Sequence, residues 1–185
     1  MNLSKPLFIS TLASSLFALL SIASADTGLL LNTANNHWYQ RFDSSMGWYA
    51  AKAFCEKRGG YLATITTQAE NEFVWTNLAS KSPYNGGTWL GATNDKTSTA
   101  ATSGAYQWIT GEKWVYSNWN TGEPSNYADI TGGGEHYLAF FAASVPVQYG
   151  TWNDMNVYNQ GTAWAQYREV STLCEWGGNM GSWNF

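Results

Sequence analysis

The sequence predicts one α+β domain, with two helices near its start and short strands and long loops after them. Two stretches between residues 43 and 78 carry apolar residues at helical spacing behind recognisable helix starts. Beyond residue 80, short apolar runs alternate with segments rich in Gly, Ser, Thr and Asn, which is the pattern of strands joined by loops. The composition agrees: aromatics reach 16% and charged residues only 12%, with eighteen Gly and four Pro, unlike a helical bundle. A chain of 185 residues that is 44% hydrophobic can fill one core.

Residues 1–25 are expected to be an export signal. Lys5 supplies a positive start, Leu7 to Ile22 is apolar with small hydroxyl interruptions, and Ala23-Ser24-Ala25 fits a small-residue cleavage site before Asp26. A membrane anchor is the alternative, but the run is short for a span. Residues 26–35 then form a lead, 36–178 the domain and 179–185 a tail, and no later run is apolar enough to span a bilayer. The net charge of −4, without a Lys/Arg cluster, argues against nucleic-acid binding.

The elements follow in order. His37 to Phe42 alternates as a strand, and Asp43-Ser44-Ser45 starts a helix carrying Trp48, Ala51, Phe54, Cys55 and Arg58 at helical spacing. Gly59-Gly60 ends it, because glycine reaches the left-handed conformation without steric cost. Tyr61 to Ile65 is extended. Thr67 with Glu70 reads as a capping box opening a second helix that buries Phe73, Val74 and Leu78. Thr88 to Ala92, Tyr106 to Ile109, His136 to Ala142, Gly150 to Trp152 and Val170 to Trp176 are short strands, and Val115 to Gly134 is a long irregular segment. Loops of that length in a compact domain usually carry function or a metal.

That segment concentrates the chemistry. Glu123, Glu135 and Asp154, with Ser125, Asn126 and Asn153, gather oxygen donors in a chain with few charges. Calcium takes roughly six to eight oxygens from carboxylates, carbonyls and water, so this set suits it. The plainer alternative is a polar surface loop whose acids face water while Trp152 packs inside. Cys55 and Cys174, an even count in an exported chain, suggest one disulfide, with two buried free thiols as the alternative. With His37 and His136 the only histidines, zinc is a poor fit.

Read in order, these signals resemble the C-type lectin-like domain. The match runs through Trp48, Cys55, Gly59-Gly60-Tyr61-Leu62-Ala63, Glu70, Phe73-Val74 and Trp89-Leu90-Gly91. It continues through Trp108-Ile109-Thr110-Gly111, Asn118-Trp119, Gly122-Glu123-Pro124, Trp152-Asn153-Asp154 and Leu173-Cys174-Glu175. The resemblance covers roughly residues 36 to 176 and implies two helices flanking small antiparallel sheets, with a long calcium-binding loop. It further implies a Cys55–Cys174 bridge, a cis bond before Pro124, and Ca2+ held by Glu123, Ser125, Glu135, Asn153 and Asp154. A sugar would then coordinate the ion through two adjacent hydroxyls and hydrogen-bond the same side chains and Asn126, with Tyr127 or Tyr149 packing on its face. The Glu-Pro-Ser motif favours sugars of the mannose, glucose or fucose type.

Several residues depart from the family pattern. Ser125 replaces the usual Asn, Tyr137 and Val157 stand where an inner cysteine pair is expected, and Asn94 and Ser98 would weaken or abolish an auxiliary calcium site. Apolar packing is the expected substitute for the missing inner bridge, and residues between Asn156 and Ser171 form an added loop. The leading expectation is a secreted carbohydrate-binding protein that works in several copies for avidity. The alternative is a module of the same fold that binds a protein or surface, with calcium only ordering the loop. An enzyme is the third class: two of the acids would have to serve as a glycosidase pair, a role that bound calcium opposes by keeping them ionised.

Overall fold

A computed structural model describes residues 26–95, 105–127, 134–142, 149–157 and 169–178. The expected signal, the tail, Ser98 and residues 158–168 of the added loop lie outside these. The elements are β1 (Leu30–Asn32), β2 (His37–Phe42), α1 (Trp48–Glu56), β3 (Tyr61–Leu62) and α2 (Gln68–Asn77). After a 3₁₀ turn (Ala79–Lys81) come β4 (Thr88–Thr93), β5 (Gln107–Trp108), β6 (Tyr137–Phe140), β7 (Trp152–Met155) and β8 (Ser171–Trp176). Among the described residues, no helix is long and apolar enough to cross a membrane.

The strands form one sheet in the order β1-β2-β8-β4-β6-β7, with β3 also pairing β8 and β5 pairing β4. All pairings are antiparallel except β4 with β8, which run parallel through Thr88↔Ser171 and Trp89↔Thr172. That parallel contact joins the expected small antiparallel sheets into one mixed sheet. β4 and β8 are buried at every residue, as central strands covered on both faces should be. β1 lies in the stretch read as a lead and pairs with β2 from Leu30↔Tyr39 to Asn32↔His37.

Helix α1 begins at Trp48 behind Gly47, which makes no side-chain cap. The Asp43-Ser44-Ser45 start fails because Asp43 is engaged elsewhere: both its carboxylate oxygens accept from Arg41, at 2.7 and 2.8 Å. Ser171 Oγ also donates to Asp43. A buried acid with a bidentate guanidinium partner is held more strongly than a surface cap would hold it. The glycine stop is present, since Gly59 has φ +74° and the Gly60 N–H reaches Cys55 O at 3.1 Å. Helix α2 does open on the Thr67 cap, with Glu70 N donating to Thr67 Oγ1 at 3.2 Å.

The tryptophans explain much of the packing. Trp48, Trp89, Trp108, Trp152 and Trp176 are all fully buried. Four of their indole N–H groups donate to partners that tie separate segments together: Trp48 to Leu90 O, Trp89 to Met46 O, Trp176 to Arg58 O and Trp152 to Asn71 Oδ1. Burying such a ring contributes about 4–6 kcal/mol by area, an upper figure. The Cys55–Cys174 disulfide joins α1 to β8, with Cα atoms 5.4 Å apart. Gly91 lies so close to β3 that an added Cβ would sit 2.2 Å from Leu62 O.

Candidate metal and ligand site

The site hangs on β7. Trp152 is wholly buried, and its backbone pairs with the preceding loop: Trp152 N donates to Asn118 O at 2.8 Å and Asn120 N to Trp152 O at 3.0 Å. Asn71 on α2 fixes the same point by accepting from the Trp152 indole and donating to Gly150 O at 3.0 Å. From there the chain turns through Gly122, φ +91°, and Glu123 N bonds Asn120 O at 2.9 Å. The Glu123-Pro124 bond is cis.

Two residues past Trp152 on the strand lies Asp154, also fully buried. Its Oδ1 accepts from Ser125 N at 2.9 Å and its Oδ2 from Asn126 N at 2.8 Å. Ser125 N also reaches Glu123 Oε2 at 2.8 Å. Glu135 arrives from the other side, just before β6, where Leu138 is paired with Asp154. Its Oε2 accepts from Ser125 Oγ and Tyr127 N, both at 3.2 Å. Glu123, Ser125, Asn126, Glu135 and Asp154 are therefore brought together by hydrogen bonds. Asn153 adjoins Asp154 on β7, half-buried and on the opposite alternation.

Two of these three acids, Glu123 and Glu135, hold protons unusually well. Burial, then the charge of Asp154, pushes Glu135 up to about 7, against the pull of its bonds from Ser125 and Tyr127. Burial, followed by the adjacent Asp154 carboxyl, also raises Glu123. Tyr106 is raised by burial and by the same three charges. None of the hydrogen bonds given above to these acids comes from Lys, Arg or His. Those bonds bring the acids no positive charge, and the carboxylates present oxygen ligands, which suits a hard cation.

The surroundings are open. Tyr127 is 60% exposed and Tyr149 89%, so neither is a core aromatic. A cleft of 590 Å³ lies against the β5 turn, lined by Tyr106, Trp108, Thr110, Glu112 and Trp114 among others, and Tyr106 is its link to the acids. Asn94, from the region read for an auxiliary site, accepts through its Oδ1 from His136 Nδ1 at 2.8 Å.

A second polar cluster escaped the sequence reading. His37, Glu70 and Glu175 place one ligand atom each within 4.8 Å of one another. The carboxylates of the second cluster are already well served. Glu70 accepts from Asn35, Tyr39 Oη, Thr66 N and Thr66 Oγ1, and Glu175 Oε2 from Thr64 N. They act as a buried polar staple joining β2, α2 and β8. A Glu beside a Cys in the last strand was visible in the sequence, but nothing there pointed to its partners.

The fold and the acidic loop can now be set beside known proteins. The Lectin C-type domain family matches residues 44–134. Galactose-specific lectin nattectin of Thalassophryne nattereri is 35% identical over 83 residues, 45% of this chain and 49% of that protein. These matches support the C-type lectin-like domain family for this chain. Its relatives are lectins, so the family is one of binding proteins and not of enzymes. The chain spans about half the length of relatives such as nattectin. In structure, the domain is similar to the human scavenger receptor C-type lectin carbohydrate-recognition domain, with a TM-score of 0.60 and 21% identity over 80% of this chain and 95% of that one. It is also similar to a calcium-independent type II antifreeze protein, with a TM-score of 0.55 and 17% identity over 82% and 97%. These two likenesses speak for the fold alone.

Proposed function

We propose that this chain is an exported, calcium-dependent carbohydrate-binding protein. In this reading Glu123, Ser125, Glu135, Asn153 and Asp154 hold Ca2+, and the same residues with Asn126 meet the sugar. The observation that carries it is the convergence of three carboxylates, of which Glu123 and Glu135 have raised proton affinity, with no cationic partner in the hydrogen bonds given above. Calcium bound there would supply the missing charge and coordination positions for two adjacent sugar hydroxyls. Around the ion, carboxylates accept from those hydroxyls and amides donate to them. Tyr127, exposed and bonded through its N–H to Glu135, offers an apolar face beside the acids.

The Glu-Pro-Ser motif favours mannose, glucose or fucose. The lectin unit is assigned to residues 36–178, with β1 added to its sheet. One shallow site binds weakly, so several copies would act together. The test is retention of the mature protein on mannose and galactose resins with calcium or chelator. Retention on mannose that is released by chelator and by free mannose is the expected result.

One observation favours a second reading. Both Asp154 oxygens already accept backbone N–H groups, so the loop closes on its own. A module that binds a protein or surface, with calcium only ordering the loop, would have the same geometry. Ligand binding that free monosaccharide fails to compete would select that reading.

A further inference from the structure

Glu135 stands two residues before β6, and the start of that strand carries an unusual polar knot. Tyr137, its first residue, is 4% exposed and donates its hydroxyl to Asp95 Oδ2 at 2.5 Å. Tyr49 on α1 donates to the same oxygen at 3.0 Å, and the two hydroxyls lie 3.0 Å apart. The Tyr137 ring packs 4.9 Å from that of Trp48 and 5.5 Å from that of Tyr49. Asp95 lies two residues past β4 and is braced there, its N–H bonding Thr93 Oγ1 at 3.0 Å. His136, between Glu135 and Tyr137, is pinned on both sides. Its O accepts from Asn94 N at 3.1 Å, and its N donates to Met155 O at 3.0 Å.

We propose that Asp95, gripping the hydroxyls of Tyr137 and Tyr49, is a positioning residue for Glu135: it fixes the start of β6 against α1 and β4, and so sets where the Glu135 carboxylate stands relative to Asp154. The reasoning rests on the calcium reading above. Tyr137 occupies a place where a cysteine bridge was expected, and apolar packing was the anticipated substitute. The structure holds this strand instead with a carboxylate and two phenols as well as ring contacts. A carboxylate accepting two hydroxyls is a charge-assisted arrangement and stronger than a neutral pair. Removing it would leave the buried Tyr137 hydroxyl without that acceptor, at the point where the strand delivers its ligand. Groups that orient a metal ligand commonly matter nearly as much as the ligand itself.

The test uses the mature protein, with calcium affinity measured by calorimetry and backbone hydrogen exchange followed at residues 134–137 in chelator. Tyr137→Phe keeps the ring and removes the hydroxyl, Asp95→Ala removes the acceptor, and Asp95→Asn keeps one acceptor oxygen. Tyr137→Phe and Asp95→Ala should each weaken calcium binding about tenfold and speed exchange at 134–137, with Asp95→Asn retaining most of the affinity. Ile65→Val, a core change far along the chain, is the control: it should lower the melting temperature and leave calcium affinity unchanged. Wild-type protein that binds calcium while all three variants match it would overturn the positioning role. Wild-type protein that binds no calcium would overturn the functional reading itself.

Discussion

His37 Nδ1 lies 2.5 Å from Glu175 Oε1, on the rim of a cluster in which Glu70, Tyr39 and Tyr61 also take part. The bond His37 donates to Glu175 raises the pKa of His37, with the charges of Glu175, Glu70 and Glu112 adding to it and burial opposing. Burial likewise raises Glu175, more than its bond from His37 lowers it. A raised histidine stabilises the fold fully below its ordinary value near 6.5 and loses that contribution as pH rises through the folded value. An acid that is raised on folding acts in the same direction. The melting temperature of wild type should therefore fall relative to His37→Gln as pH rises above the ordinary histidine value of about 6.5. Parallel melting curves for the two proteins across that range would refute the linkage.

The acidic loop predicts a second pH effect, tied to metal. Glu135 holds its proton to about 7 and Glu123 above its ordinary range, so chelated protein should lose stability as pH rises through 7 and those protons leave. Calcium replaces the protons, so its stabilisation should be larger at pH 8 than at pH 5.5. At a hundredfold excess over Kd it amounts to about 2.7 kcal/mol. Differential scanning calorimetry with calcium and with chelator at both pH values checks this, and identical curves would count against the site.

The bridge between α1 and β8 is expected to be structural. Cys55→Ala should leave Cys174 as a free thiol and lower stability by about 2–5 kcal/mol, while any sugar preference stays the same. Chemical denaturation together with thiol titration of the folded protein measures both.

At Gly91, an added Cβ would meet Leu62 O at 2.2 Å and Ile109 Cδ1 at 3.2 Å, and the backbone there also carries the bonds to Ala63 O and from Ile109 N. Gly91→Ala should cost at least about 1–3 kcal/mol, since both neighbours are held by the sheet. Urea denaturation reads this directly.

Sugar choice is the sharpest test of direct coordination. Glu123→Gln with Ser125→Asp conserves formal charge around the ion and exchanges which position donates and which accepts. Calcium affinity should change little, while preference should move from mannose toward galactose, because unpaired polar groups penalise the wrong hydroxyl geometry. Glycan-array binding in calcium would show the shift, and an unaltered profile would refute it.

The sequence by itself determined the parts that depend on near neighbours along the chain. Helical spacing, the Thr67 cap, the Gly59-Gly60 stop and the supply of oxygen donors around Glu123 and Asp154 were all legible, because each rests on residues a few positions apart. Asp43 shows where this fails: its local propensity to start a helix loses to a buried Arg41 partner and to Ser171, far along the chain. Only the tertiary structure set Glu70 and Glu175 beside His37, because the β2–β8 register and the docking of α2 decide it. The same holds for the acids of the loop. That they are acids was plain from the sequence, but that Glu135 keeps its proton near neutrality depends on burial and on an Asp154 wholly removed from water. Burial and long-range register are properties of the packed chain, and no short stretch of residues encodes them.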